Sequence, residues 1–173
     1  MYRTVRIELR PTNEQSQSLS ETIRQFTQAF NAVCKVGYEQ KTGNAYTLQK
    51  FTYRDCKNAL PNLVSDLHIQ AIHRASESVK SVLTLTKKGK RVSCPQSQVC
   101  PPRYNLHTFK VYWSKTVISM STTSGRMKVR FNLPPYAVYA VGSKTTTADL
   151  IHRRGKFFLH VVINLPDIEF IPN

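Results

Sequence analysis

Residues 3–11 read Arg-Thr-Val-Arg-Ile-Glu-Leu-Arg-Pro, and their order decides how the rest of the chain must be read. Val5, Ile7 and Leu9 recur at every second position with Arg6, Glu8 and Arg10 on the other face, the period of a half-buried strand, which Pro11 ends. Thr12 then reads as a helix N-cap with Gln15 completing a capping box. Leu19, Ile23, Phe26, Phe30 and Val33 follow on one helical stripe, predicting a helix to about Lys41, where Thr42-Gly43-Asn44 breaks it. A strand followed at once by a long helix has no hairpin partner. Its buried main-chain groups demand one, so the strand is predicted to join strands from residues 108–164.

Outward from that opening, a second helix is predicted over 47–59, stopped by Leu60-Pro61. A third starts near Asn62, with Leu63, Leu67, Ile69, Ile72, Val79 and Val82 apolar, and frays before Lys87. His68 and His73, five apart on that helix, fall on different faces and are read as surface residues. Residues 92–107, rich in Ser, Pro and Gln, read as a loop. The period then switches to two. Strands are predicted at 108–113, 117–121, 127–133, 138–142, 146–153 and 157–164, with turns at Ser124-Gly125 and Arg154-Gly155. The fold class is α+β: a small antiparallel β-barrel interrupted after its first strand by an inserted helical bundle. The expected divisions are strand one at 1–11, a helical lobe at 12–86, a basic Pro-containing linker at 87–107, the rest of the barrel at 108–166 and a tail at 167–173.

Charge is distributed as unevenly as structure. The net charge is +15, and from Ser78 to Ala148 the chain has no carboxylate but twelve Lys and Arg. Residues 1–86 hold 11 basic and 7 acidic side chains, against 14 and 3 in residues 87–173. Such focusing of positive potential suits a polyanion and makes its binding salt-dependent. No stretch approaches the roughly 20 apolar residues of a membrane span, and the N-terminus is not a secretory signal, so a cytoplasmic, nucleoid-associated location without a membrane partner is expected. Cys34, Cys56, Cys94 and Cys100 are read as free thiols. Cys94, Cys100 and His107 lack the tight paired spacing of a zinc site, and no metal ligand set is assigned.

The opening IELRPTNEQSQSL and the AFNAVCKVG run on the first helix resemble the start of TnpB (OrfB) proteins of insertion sequences, also described as putative transposases. LPNLVSDLHIQAIHRASESVKSVL is similar to the third helix of their recognition lobe, and RRGKFFLHVVINLP to the hairpin preceding their nuclease domain. The resemblance implies an RNA-guided DNA endonuclease, related to the type V CRISPR effectors, in which a wedge (OB-like) barrel is interrupted by a recognition lobe and followed by a RuvC-like nuclease. On that resemblance the 173 residues would correspond to the first two parts, without the nuclease carboxylates. The expected function is therefore the binding half of a TnpB-like protein, taking guide RNA and double-stranded DNA with a short adjacent motif. No catalytic residue and no cofactor is expected in this fragment, and Mg2+ only in the presumed full-length nuclease.

By the same resemblance, Gln70 stands where the family reads the DNA motif, a contact for which Gln suits adenine, while Asp66 replaces a family Lys one turn earlier. Tyr46, Thr47, Asn105, His107 and Thr108 fall at the other positions where the family approaches that duplex. The expected RNA contacts are Lys87, Lys88, Lys90 and Arg91 at the lobe junction, Arg103 and Lys110 in a run that interleaves cations with aromatics, Arg126, Lys128 and Arg130 on one strand face, and Arg153, Arg154 and Lys156 in the last hairpin. Two rivals remain open. One is a stand-alone DNA-binding repressor or transposon accessory protein acting without RNA; the other is a small metal-dependent nuclease built on Asp149, Asp167 and Glu169.

Overall fold

A computed structural model of the chain describes residues 1–166. Strand β1 spans Tyr2–Arg10, and three helices follow: α1 (Asn13–Glu39), α2 (Ala45–Ala59) and α3 (Ser65–Lys87). Six more strands come after them: β2 (Arg103–Tyr104), β3 (Phe109–Tyr112), β4 (Val117–Thr122), β5 (Gly125–Asn132), β6 (Lys144–Arg153) and β7 (Lys156–Asn164).

The seven strands form one antiparallel sheet in the order β2-β6-β7-β1-β5-β4-β3. The first strand of the chain thus lies near the middle, pairing with β7 through Tyr2–Glu8 and with β5 through Glu8–Arg10. Val5, Ile7 and Leu9 point inward with Ile118, Met120, Val129, Phe131, Leu159 and Val161, all of them buried. The sheet curls until its two ends nearly meet, giving a nearly closed barrel. Tyr104 of β2 is wholly buried edge-on to Phe109 of β3, and its hydroxyl donates to the Ser121 carbonyl of β4 at 3.0 Å. Near-closure of this kind leaves little unpaired strand edge.

The helices form where their caps and stripes dictate. The Thr12–Gln15 capping box is complete, and Gln15 extends it by donating from Nε2 to the Lys128 carbonyl of β5 at 2.9 Å. Asn44 caps α2 through the Thr47 amide. Gly43, in the turn before it, packs so closely on α3 that a Cβ there would come within 3.0 Å of the Lys80 amide nitrogen. Leu19, Phe26, Val33, Leu48, Leu67, Ile72 and Val79 join the barrel's interior in one hydrophobic core, which docks the helices on the sheet. At that junction Thr22 Oγ1 accepts from the Thr123 amide at 3.0 Å.

Three expectations need correction. Residues 138–142 are not a strand: Pro135–Ala140 form a 3-10 helix, with Ala137 and Ala140 buried and Val138 exposed. Consecutive prolines at 134 and 135 preset the backbone for that turn, and burial every third residue replaces alternation. The 92–107 segment contains a short strand, β2, and packs along α1. Asn31 Nδ2 donates to the Ser97 carbonyl at 2.8 Å, and Thr27 Oγ1 accepts from the Cys100 amide at 2.9 Å. His68 is not a surface residue but is 1% exposed, lying 3.1 Å from the Leu60 carbonyl through Nε2 and edge-on to Tyr53. No described helix is long and apolar enough to cross a membrane.

Candidate nucleic-acid interface

The outer surface of the sheet follows from alternation. On β5, Val129 and Phe131 fill the barrel while Arg126, Lys128 and Arg130 stand exposed outside. The β4 residue between Lys128 and Lys110 in the register is Ser119, which is buried beneath its longer neighbours. A hydroxymethyl at that position leaves room for cations from both sides, and Arg126 uses it. Its Nε donates to Ser119 Oγ and its Nη1 to the His107 carbonyl, each at 2.8 Å. Arg126 is therefore anchored, whereas Lys128, Arg130 and Lys110 are exposed, with the Lys110 ammonium 5.3 Å from the Tyr112 ring centroid.

Strand β1 joins this row to a second one. Arg10 lies directly opposite Arg130 in the register, and like charges so placed are destabilising. Further along β1, Arg6 pairs with His160 of β7, and the Arg6 guanidinium sits 5.2 Å from the Phe158 ring centroid. These residues with Ile151, Arg153, Arg154 and Lys156 line an open groove of about 510 Å³. The β6–β7 turn presents the last three, with Arg154 and Gly155 both at positive φ, 51° and 74°, as a two-residue turn of mirror-image type requires. Burial, reinforced by the Arg6 charge, lowers the His160 pKa below its usual value. Two carboxylates border the groove: Asp149 lies opposite His160 in the β6–β7 register, and Glu8 Oε1 is 3.1 Å from Lys156 Nζ, a half-exposed pair worth little against solvent.

A different chemistry holds the helices to the sheet. Gln70, Arg74 and Glu77 are spaced to share one face of α3, and the latter two reach the barrel. Arg103 of β2 donates to both oxygens of Glu77, at 2.9 and 3.3 Å, and Arg74 Nη2 lies 2.6 Å from Asp149 Oδ1, out of line for a hydrogen bond. The Arg103 bond holds the Glu77 carboxyl below its ordinary pKa, and Glu77 in turn raises that of Arg103. Arg103 is thus engaged within the fold rather than offered to a phosphate. Asp149 is likewise held between arginines, with Arg103 Nε at 3.9 Å.

The other expected contacts scatter. Gln70 is half-buried on the barrel-facing side, one turn before Arg74. Tyr46 is exposed at the start of α2, with the Lys50 ammonium 4.4 Å from its ring centroid, while the Thr47 hydroxyl is taken up by Asn44. The turn before α2 meets α3 at Ser76, which donates to the Gly43 carbonyl, and Gln70 lies six residues, roughly 9 Å of helix, before that contact along α3. Asn105 and Thr108 are not presented to a duplex. Asn105 Oδ1 accepts from the His107 and Thr108 amides at 3.0 and 3.2 Å, and Thr108 is 2% exposed, because both side chains build the turn from β2 to β3. His107 itself stays exposed. Lys87, Lys88, Lys90 and Arg91 are exposed past the last buried residue of α3, Val79.

The structure also exposes what the sequence reading passed over. Arg6, Arg10, Phe158 and His160 belong to the basic surface, although they were not assigned to it. Alternation placed Arg6 and Arg10 on the polar face of β1, but only the pairing of β1 between β5 and β7 sets them between two basic rows.

Among the described residues no group of three His, Cys, Asp or Glu could hold a metal ion. Burial pushes the Cys34 thiol up to about 12 and Cys100 up to about 11, the behaviour of core thiols. Asp167 and Glu169 lie outside the described residues. No model of a known protein family matches the chain, and no curated protein matches it.

Proposed function

We propose that the chain binds nucleic acid through the outer face of its barrel and acts as the guide-RNA and target-DNA binding part of a TnpB-like RNA-guided endonuclease. In this reading the barrel is the wedge, OB-like in kind, and the three helices inserted after β1 form the recognition lobe. The carrying observation is the row in which Arg130 faces Arg10 across β5 and β1, with Lys128 and Lys110 alongside and Glu8, 4.0 Å from Arg10 Nε, at its edge. Cations held directly opposite one another cost stability in the free protein. A phosphate backbone relieves that cost, and its counterions are released on binding.

Gln70 and Tyr46 supply the DNA-directed contacts of this reading, and the groove at Arg6, Arg153, Arg154 and Lys156 extends the RNA track. No cleavage chemistry is assigned to the chain itself. The stand-alone repressor remains the second reading, favoured by the exposed Tyr46 and Lys50 at the start of α2. A mobility-shift titration of duplex DNA with and without guide-like RNA tests the two. DNA binding that requires RNA supports the guided reading; equally tight binding without RNA overturns it in favour of the repressor.

A further inference from the structure

One end of the barrel carries an aromatic shelf distinct from the basic rows. β5 pairs with β1 only at Glu8, Leu9 and Arg10, so the earlier part of β1 loses that neighbour. The Pro135–Ala140 3-10 helix takes its place, with Tyr136 Oη donating to the Arg6 carbonyl at 3.0 Å. In such a helix residues three apart eclipse one another. Ala137 and Ala140 therefore make the buried edge at 0% exposure, while Tyr136 and Tyr139 share another edge at 60% and 44%. Val138 and Val141 stand exposed beside them.

The shelf has a charge as well as a shape. The Arg3 guanidinium lies 5.8 Å from the Tyr139 ring centroid, and Arg6, whose carbonyl holds Tyr136, is also a wall of the basic groove. From Asn132 to Ala148 the chain has no carboxylate. Exposed rings flanked by arginines and running into a cationic groove are the elements of a site where phosphates track the groove and bases lie on rings.

We propose that Tyr136 and Tyr139 are a stacking platform for the bases of a single-stranded nucleic acid whose phosphates continue along the groove at Arg6. This rests on the nucleic-acid reading above and adds the state of the ligand. In a duplex the base faces are already stacked on one another, so an unpaired strand is required.

The test compares the intact chain with the double variant Tyr136→Leu, Tyr139→Leu, which keeps apolar bulk but removes both rings. Affinity is measured across salt concentrations for an unstructured RNA oligonucleotide, the DNA oligonucleotide of the same sequence, and a ribose-phosphate chain of equal length lacking bases. The expected result is a loss of about tenfold per ring on both base-bearing strands, with the salt slope unchanged and the baseless chain unaffected. Tyr136→Phe keeps the ring and loses only the bond to Arg6, so it should bind as the parent does. Unchanged affinity in the double variant, or an equal loss on the baseless chain, overturns the platform while leaving the proposed function standing. A parent chain that binds none of the three overturns both. Should the double variant fail to fold, Tyr139→Leu alone is read by the same criteria.

Discussion

The helical block and the barrel carry the same kinds of cation, yet they treat them differently. On α1, Arg24 donates to Glu21 three residues earlier, and that bond holds the Glu21 carboxyl down at about 2. Helical spacing makes such partners local, so a sequence can supply the neutralising charge within one turn. On β5, Arg126, Lys128 and Arg130 have as cross-strand neighbours Ser121, Ser119 and Val117 on one side, and Arg130 has Arg10 on the other. Strand neighbours come from distant parts of the chain, and here none of these is a carboxylate. The difference teaches that the unneutralised charge is a property of the sheet's pairing, not of composition alone.

The largest expected effect asks whether the two regions are one folding unit. Tyr104 is fully buried at the barrel's closure and Phe26 at the centre of α1. Replacing either by Ala should cost about 3–5 kcal/mol. Because one hydrophobic core spans both regions, each variant should lower the midpoint of a single cooperative transition followed by calorimetry. Two resolved transitions, with each variant shifting only one, would show that lobe and barrel fold separately.

Next comes the contrast in charge itself. Reversing Lys110, Lys128 and Arg130 to Glu should weaken RNA binding by about a hundredfold and reduce the slope of log K against log salt by about 2–3. The matched reversal of Lys35, Lys41 and Lys50 in the helical block should do less. A helical variant that loses more than the barrel variant breaks the assignment of the barrel as the RNA platform.

Gln70 sharpens the comparison from the helical side. In a full-length guided nuclease, Gln70→Ala should cost about 1–3 kcal/mol for DNA bearing the adjacent motif and leave RNA affinity unchanged. Competition binding against scrambled motifs reads this directly, and an equal loss on every DNA sequence removes Gln70 from motif reading.

The smallest effect is a pH dependence that differs between the regions. His68 has its Nε2 against the Leu60 carbonyl and a buried Nδ1 with no hydrogen-bond partner, and burial lowers its pKa from the ordinary 6.5. The unfolded chain therefore takes up the proton first. Stability contributed by the neutral ring is complete above pH 6.5 and is lost as the pH falls below it. Glu77, lowered from 4.5 chiefly by its bond to Arg103, contributes stability that is lost only in the acid range below that value. Thermal melts across pH should show the first decline vanish in His68→Phe and the second shrink in Glu77→Gln.

Local signals carried much of this fold. Alternation at Val5, Ile7 and Leu9, the Thr12–Gln15 box, the α1 stripe and the Arg154-Gly155 turn are all short-range features, and each took the form its residues dictate. The reading failed where short-range cues were ambiguous. Residues 138–142, Val-Tyr-Ala-Val-Gly, are rich enough in β-formers to mimic a short strand, but a pair of prolines and two small alanines made a 3-10 helix the better fit against the core. His68 looked polar enough for the surface, yet the segment around Leu60 turned back to supply its carbonyl and Tyr53 its ring edge.

By itself the sequence determined most of the helix and strand segments, which face of each is apolar, and how much positive charge the second half must carry, because those depend on period and composition. Tertiary structure alone decided which cations meet. Only the pairing of β1 between β5 and β7 sets Arg10 opposite Arg130 and Arg6 beside His160, and only the docking of α3 gives Arg74 and Arg103 to Asp149 and Glu77. The physical reason is range. Backbone conformation is set by neighbours along the chain, whereas the neutralisation of a charge depends on what lies within a few ångströms in space.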